Sequence, residues 1–152
     1  MASRSADKDV LLTTKLNLAR LAVSDGRSRA AVGDLKNLAQ QADAQGRKYI
    51  SVRSSVLLAE AMIKSKEYPV ARQELQRALG RSEKLGLRLE TARVHYLLGA
   101  ALRLTGSASE ATSQYREAAR MLDEISKEQG AEHLLERFDL KTIYAESTQF
   151  AK

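Results

Sequence analysis

The sequence predicts an all-α fold built from repeated pairs of antiparallel helices. Alanine, leucine, arginine, glutamate, glutamine and lysine dominate the 152 residues, and all six are good helix formers. The chain has one proline, and runs rich in β-branched residues, which are typical of strands, are absent. The same residue types also recur at intervals of 40 positions, and repeats of that length indicate stacked supersecondary units.

The repeat becomes visible when the sequence is compared with itself after a shift of 40 positions. Large residues align first, and small residues follow them directly: Leu18, Leu58 and Leu98, then Ala19, Ala59 and Gly99. A second set of small and large residues lies further along each unit: Ala31, Ala71 and Ala111, then Leu35, Leu75 and Tyr115. We therefore predict one domain over 1–152 with repeats at about 12–51, 52–91 and 92–131.

The third unit predicts two helices joined by a tight turn. Thr105 and Gly106 end the first helix, because glycine is favoured just past a helix C-terminus. Ser107 is the predicted N-cap of the second helix, and Glu110 three residues later completes a capping box. The first two units are expected to turn in the same way.

The turns of the first two units carry their own signals. Gly26 is expected to end the first helix of unit one, and Ser28 to cap the next helix. In unit two Tyr68 and Pro69 mark the turn, with Pro69 suited to the first helical position. Each of the first two repeats is therefore predicted to be a helix, a tight turn and a helix.

Gly99 is a glycine in the interior of a predicted helix. Glycine there costs about 1 kcal/mol relative to alanine. The other units carry alanine at this position, and small side chains let two helices approach to the short end of the usual spacing. We predict that close helix packing at Gly99 offsets the propensity cost.

The two ends of the chain are predicted to differ from the repeats. Residues 1–9 are polar and are expected to fray, so that the first helix begins between Ala6 and Val10. The tail is expected to form a capping helix over about 132–148, because a terminal repeat has no neighbour to cover it. The residues predicted to cover the last repeat are Leu134, Leu135, Phe138 and Tyr144.

The order of small and large residues resembles the tetratricopeptide repeat over about 12–122. The third unit carries most of that family's pattern: Leu98, Gly99, Leu102, Gly106, Ala111, Tyr115 and Ala118. The period of 40 exceeds the family's usual value of about 34 residues, as in the long repeats of kinesin light chains and of large ATP-dependent bacterial transcription activators. The resemblance implies an α-α superhelix, a right-handed solenoid of three repeats plus the capping helix. The position where the family favours tryptophan departs from its pattern and holds Lys15, Ser55 and His95.

Catalytic and cofactor motifs are missing from the sequence. There is no cysteine, no glycine-rich phosphate loop and no nucleophile placed beside a base. His133 and Glu136 lie one helical turn apart, but no further histidine or cysteine joins them, and His95 is interpreted as a packing residue. We therefore expect no enzyme activity, no cofactor and no metal.

The sequence has no apolar run of the roughly 18 residues that a membrane span requires. The first ten residues, MASRSADKDV, lack the apolar stretch of a secretory signal. We therefore expect a cytoplasmic protein without a membrane partner. The net charge of +6 favours encounters with acidic partners or nucleic acid.

The resemblance implies that the first helix of each repeat lines a concave groove. Transferring the inward-pointing positions of the family to this sequence gives a mostly basic candidate binding set: Arg20, Arg53, Glu60, Lys64, Arg93, Tyr96 and Arg103. Arginine pairs bidentately with carboxylates, so the groove suits a protein or peptide of acidic character. The carboxylate clamp of chaperone-binding members is not expected, because Arg93 alone fits it.

The leading functional hypothesis is a non-catalytic protein–protein interaction module, a scaffold that is part of a larger signalling or transcription-regulatory protein. One alternative is nucleic-acid binding through the basic face. Little aromatic stacking surface supports that alternative, since aromatic residues make up 5% of the chain. A second alternative is a spacer or homodimerisation module.

Overall fold

The computed structural model describes the backbone of residues 2–152 and the side chains of residues 4–152. Over that range the chain forms α-helices, one short 3-10 turn (Leu134–Glu136) and no strand. The helices are α1 (Ala2–Ser24), α2 (Ser28–Ala44), α3 (Lys48–Lys64), α4 (Tyr68–Lys84), α5 (Arg88–Leu104), α6 (Ala108–Ser126) and α7 (Phe138–Phe150). Neighbouring helices pack together, α1 with α2, α2 with α3, α5 with α6 and α6 with α7. This arrangement confirms the predicted all-α helical-repeat class.

A turn occurs every 20 residues, so each repeat of 40 residues contains two turns. Helices α2 to α5 are each 17 residues long, and three residues separate each from the next. The middle residue of each turn has a positive φ: Gly26 (83°), Gly46 (70°), Lys66 (65°), Gly86 (66°) and Gly106 (86°). The next residue's N–H bonds back to the carbonyl five residues earlier, as Ser107 does to Leu102 at 2.9 Å. These are Schellman ends, and they confirm Gly26 and Gly106 as helix stops.

Lys66 occupies a turn position where the other four turns carry glycine. A side chain in the left-handed region costs about 1 kcal/mol because Cβ crowds the following carbonyl. We expect Lys66→Gly to raise the free energy of unfolding by about 0.5 kcal/mol, after the greater flexibility of glycine in the unfolded chain is subtracted. Urea unfolding measures the change. Lys36→Gly, in the exposed interior of α2, is the control and should destabilise by about 1 kcal/mol. A loss of stability in both variants would contradict the assignment of strain to Lys66.

The helix N-termini differ from the predicted caps. Ser107 is the N-cap of α6, but its side chain makes no capping hydrogen bond in the described structure, so the predicted capping box with Glu110 is wrong. At α2 the N-cap is Arg27, and Ser28 is instead buried with its hydroxyl 3.5 Å from the carbonyl oxygen of Val23. The three-residue turn sets both boundaries, because the residue after the left-handed position already accepts the first helical hydrogen bond.

Four helices also begin at residues that differ from the predictions. Helix α1 begins at Ala2, not between residues 6 and 10, because Arg47, from the turn between α2 and α3, donates a hydrogen bond to Ser5 and forms an ion pair with Asp9. Helix α4 begins at Tyr68, which makes Pro69 the second helical residue. Helices α3 and α5 begin about four residues before the predicted unit boundaries at 52 and 92.

The chain divides into two compact units, Met1–Glu74 and Leu75–Lys152. The first unit holds α1, α2, α3 and the beginning of α4 around one main apolar cluster. Its buried members are Ala19, Val23, Ala31, Leu35, Leu57, Leu58, Ala61, Met62 and Ala71. The aligned columns of the sequence therefore mark core positions in this unit, with the exception of Leu18, which is 61% exposed.

The second unit packs α7 against α5 and α6. Leu140 of α7 is fully buried with Ala92 and Leu122, and Leu134, Leu135 and Tyr144 pack around them as predicted. Phe138 does not cover the repeat, since it is 99% exposed. The capping helix begins at Phe138 and not near 132, so Phe138 lies in its first turn, away from the packed face.

Gly99 lies against the ring of Tyr115. A Cβ built on Gly99 would lie 3.0 Å from three ring carbons, closer than ordinary van der Waals contact. Tyr115 itself is fully buried between helices. In the first unit the equivalent pair is Ala19 and Leu35, which share one core cluster. The glycine therefore compensates for the larger ring, and the close packing that the sequence predicted at this position is confirmed.

Candidate binding surface

Helix α5 contributes three of the candidate binding residues, and each of them contacts α7. The guanidinium of Arg93 donates to Asp139 at 2.5 Å. The hydroxyl of Tyr96 donates to the carboxylate of Glu146 at 2.6 Å. The terminal carbon of Arg103 lies 4.4 Å from the centre of the Phe150 ring, within the range of a cation–π contact. The C-terminal helix therefore covers the face of α5 that the sequence assigned to a ligand.

Arg93 is a buried cation. Its side chain is 8% exposed, and besides Asp139 it has Glu90 at 3.7 Å one turn earlier on α5. Asp139 also accepts a hydrogen bond from Arg137 at 2.8 Å, so one carboxylate joins two guanidinium groups. Charge-assisted bonds of this kind are roughly twice as strong as neutral ones. The cluster fixes the beginning of α7 on α5.

Burial by itself would raise the pKa of the Asp139 carboxyl. The hydrogen bonds from Arg93 and Arg137, together with their positive charges, outweigh burial and hold that pKa below its usual value. Ionised Asp139 is therefore the form that the fold favours.

Stability should depend on pH through Asp139. Because its folded pKa is lowered, its contribution is present above the unfolded value of about 3.9 and is lost as pH falls through the folded pKa. We expect Asp139→Asn to have a lower free energy of unfolding than the native chain at pH 7. The difference between the two should shrink progressively below about pH 4, where the native carboxylate becomes protonated. Urea titrations at several pH values measure it, with Asp34→Asn on the exposed surface of α2 as the control. A deficit that is unchanged at the lowest pH would contradict the ion pair.

An aromatic cluster covers the other end of the α5 face. The ring centres of Tyr115 and Phe150 are 5.2 Å apart, and those of Tyr96 and Tyr115 are 6.0 Å apart in an edge-to-face arrangement. Arg103 also reaches the hydroxyl of Tyr115 at 3.4 Å. The α5 face therefore combines cations with flat apolar surface, a pairing that suits an acidic amphipathic helix.

The candidate residues of the first unit have different surroundings. Arg20 is exposed on α1, and Arg53 is half-buried on α3. Glu60 and Lys64 form an ion pair at 3.2 Å one turn apart, and the Lys64 ammonium also lies 3.4 Å from the carbonyl oxygen of Val23. In this unit Arg20 and Lys64 are the exposed cations of the predicted set.

A basic hollow of about 490 Å³ lies between two turns of the first unit. Arg29, Lys64 and Lys66 line it, together with Gly26, Ser28 and Ser65. Arg29 and Lys66 were not among the candidate binding residues predicted from the sequence. The signal that could have found them is the spacing of 40 between the turns at 26 and 66, which places both turns at the same end of their helices. Cations converging on a hollow suit a carboxylate or a phosphate group.

The ring nitrogen Nδ1 of His133 lies 3.1 Å from a carboxylate oxygen of Glu136, on the surface at the 3-10 turn. Within the described residues, no group of three or more histidine, cysteine, aspartate and glutamate side chains is arranged to hold a metal ion. None of the helices described here is long and apolar enough to cross a membrane.

Comparison with known proteins adds one finding. Residues 51–124 match a family model described as tetratricopeptide repeat. The matched range extends from the first turn of α3 to the last turns of α6. No curated protein and no solved structure matches the chain.

Proposed function

Because residues 51–124 belong to the tetratricopeptide repeat family, a family of protein-interaction scaffolds, we propose that this chain binds a segment of a partner protein and catalyses no reaction. We place the interaction on the first helices of the repeats. We also propose that the chain is part of a larger signalling or transcription-regulatory protein in the cytoplasm. The partner segment is acidic. The contacts of α5 and of the first unit's cations support this proposal.

The proposal rests on the contacts by which α7 packs against α5. Asp139 and Glu146 present carboxylates to Arg93 and Tyr96, and Phe150 presents a ring to Arg103. Helix α7 thus supplies the chemistry of a ligand from within the chain. An arginine guanidinium makes strong charge-assisted bonds to carboxylates and stacks on aromatic rings, so these positions select acidic and aromatic side chains on one helix face.

The first unit offers the positions that an external segment can reach. Arg20 and Lys64 are exposed there, and Arg29 and Lys66 add positive charge around the basic hollow. A partner with several carboxylates would gain attraction from each of them, and the attraction would weaken as salt is added.

Selection from a peptide-display library tests the proposal. We expect acidic peptides to be enriched on the native chain and lost from a variant carrying Arg20→Glu and Lys64→Glu, because like charges then face the ligand. Both side chains are exposed, so the fold should tolerate the changes. The matched control carries Lys36→Glu and Lys84→Glu, the same change in charge at exposed positions outside the predicted set. Equal enrichment on native chain, variant and control would contradict a site at Arg20 and Lys64.

A further inference from the structure

Helix α1 carries a stripe of large apolar side chains that are open to solvent. Its members are Val10, Leu11, Leu18 and Leu21, which are 66%, 55%, 61% and 53% exposed. Successive residues of an α-helix are rotated by about 100°, so these four side chains fall within one face about 100° wide. An exposed apolar face of this kind marks an interaction site.

The repeat shows what this face normally does. After a shift of 40, Leu11, Leu18 and Leu21 of α1 correspond to Ser51, Leu58 and Ala61 of α3. Those three residues are buried, with 0%, 4% and 0% exposure. The same holds one repeat further on, where the equivalent positions of α5 are all buried: Thr91, Leu98 and Ala101. Of the three equivalent faces, the one on α1 is therefore the exposed one.

Helix α2 covers this face on α3. Leu58 and Ala61 of α3 share a core cluster with Ala31 and Leu35 of α2. The two helices are joined by three residues, so α2 runs antiparallel to α3. The interface between α2 and α3 therefore has a counterpart on α1 that is exposed within the described structure.

We propose that the outer face of α1 is a docking site for one antiparallel amphipathic helix of the α2 type, supplied by a partner protein. Such a helix carries a stripe of two leucines with an alanine on either side, as α2 does at Ala31, Leu35, Leu38 and Ala42. This site is separate from the acidic-segment surface and does not rest on the proposed function.

The repeat favours such a helix over a second copy of this chain. On α3 the equivalent face is covered by α2, and the α2 of a second copy is already packed against its own α3. A second copy therefore has no free α2 to offer. The α1 face carries larger side chains than its counterpart on α3, with Leu11 and Leu21 in place of Ser51 and Ala61, and alanines on an opposing helix can approach leucines at ordinary interhelical distance.

A fusion tests the docking site on the complete face. A second copy of residues 28–47 is placed directly before Lys8, replacing residues 1–7, because Lys8 is the equivalent of Lys48. We expect the fusion to raise the midpoint of thermal unfolding by about 4 °C or more above that of the native chain. Leu18→Asp should abolish this gain in the fusion while changing the native chain little, since Leu18 is exposed there.

The control fusion carries serine in place of the two leucines of its added helix, and it should show no gain. An equal gain in both fusions, or no gain in either, would overturn the proposal. Sedimentation of the native chain supplies the remaining outcome. A dimer that Leu18→Asp dissociates would assign the face to a second copy and would also overturn the proposal.

Discussion

Replacing Arg93 with methionine should lower the free energy of unfolding by about 3 kcal/mol or more. The guanidinium is buried between Glu90 and Asp139, and its removal leaves two carboxylates beside an apolar side chain. Breaking a buried ion pair from one side is costly because the remaining charge keeps its desolvation penalty. Urea unfolding at pH 7 measures the loss.

Arg120→Met is the matched control for Arg93→Met. Arg120 also pairs with two carboxylates, those of Glu117 and Glu124, but on the exposed surface of α6. Exposed pairs contribute little because water and salt screen them, so this variant should remain close to the native chain. Equal effects of the two substitutions would contradict a structural role for the buried cluster.

The pair of Gly99 and Tyr115 should be coupled. Gly99→Ala adds a methyl group 3.0 Å from the ring of Tyr115. We expect a loss of about 1–2 kcal/mol, because overpacking exceeds the gain in helix propensity. Tyr115→Leu alone should also destabilise, since it removes a fully buried ring. The double variant places alanine beside leucine, as Ala19 and Leu35 are paired in the first unit. Its loss of unfolding free energy should therefore be smaller than the sum of the two single losses by at least about 1 kcal/mol.

Gly80→Ala is the control for this cycle. Gly80 lies inside α4, and a Cβ there meets no atom within 4 Å. The substitution should therefore stabilise the chain by about 1 kcal/mol through helix propensity alone. A stabilising Gly99→Ala, or additive single losses, would show that Tyr115 does not require a glycine.

Residue type and spacing were sufficient to predict the all-α repeat fold. The core contains the small residues Ala31 and Ala71 and the large residue Leu35. These positions were predictable because packing constrains the size of a side chain at positions that repeat. The spacing of 20 between turns was not predicted. Lys66 takes the left-handed conformation that glycine takes elsewhere, and residue type does not reveal that backbone angle.

The ends of the chain were less predictable because contacts distant in sequence decide them. Helix α1 begins early because Arg47 reaches back to Ser5 and Asp9. In the tail, several apolar residues fit more than one helical face, and the docking of α7 selects Leu140 for burial while Phe138 stays exposed. Periodicity alone does not distinguish these alternatives.

The candidate site was predicted in part. The resemblance selected Arg93, Tyr96 and Arg103 as residues of one functional face, and the structure brings all three against α7. A capping helix was predicted from the sequence, but its position on this face of α5 was not. The signal was the placement of carboxylates at Asp139 and Glu146, two helical turns apart and opposite in charge to α5.

Helix α7 covers the face of α5 that was predicted to bind a ligand, and a nuclear Overhauser measurement on ring-labelled phenylalanine tests this arrangement most directly. The chain has two phenylalanines, so Phe138→Leu at the exposed position leaves Phe150 as the single probe. We expect cross-peaks from the Phe150 ring to the ring of Tyr115, whose centre is 5.2 Å away. A Phe150 ring without contacts to tyrosine, at the chemical shift of an unfolded chain, would contradict the docking of α7 on α5.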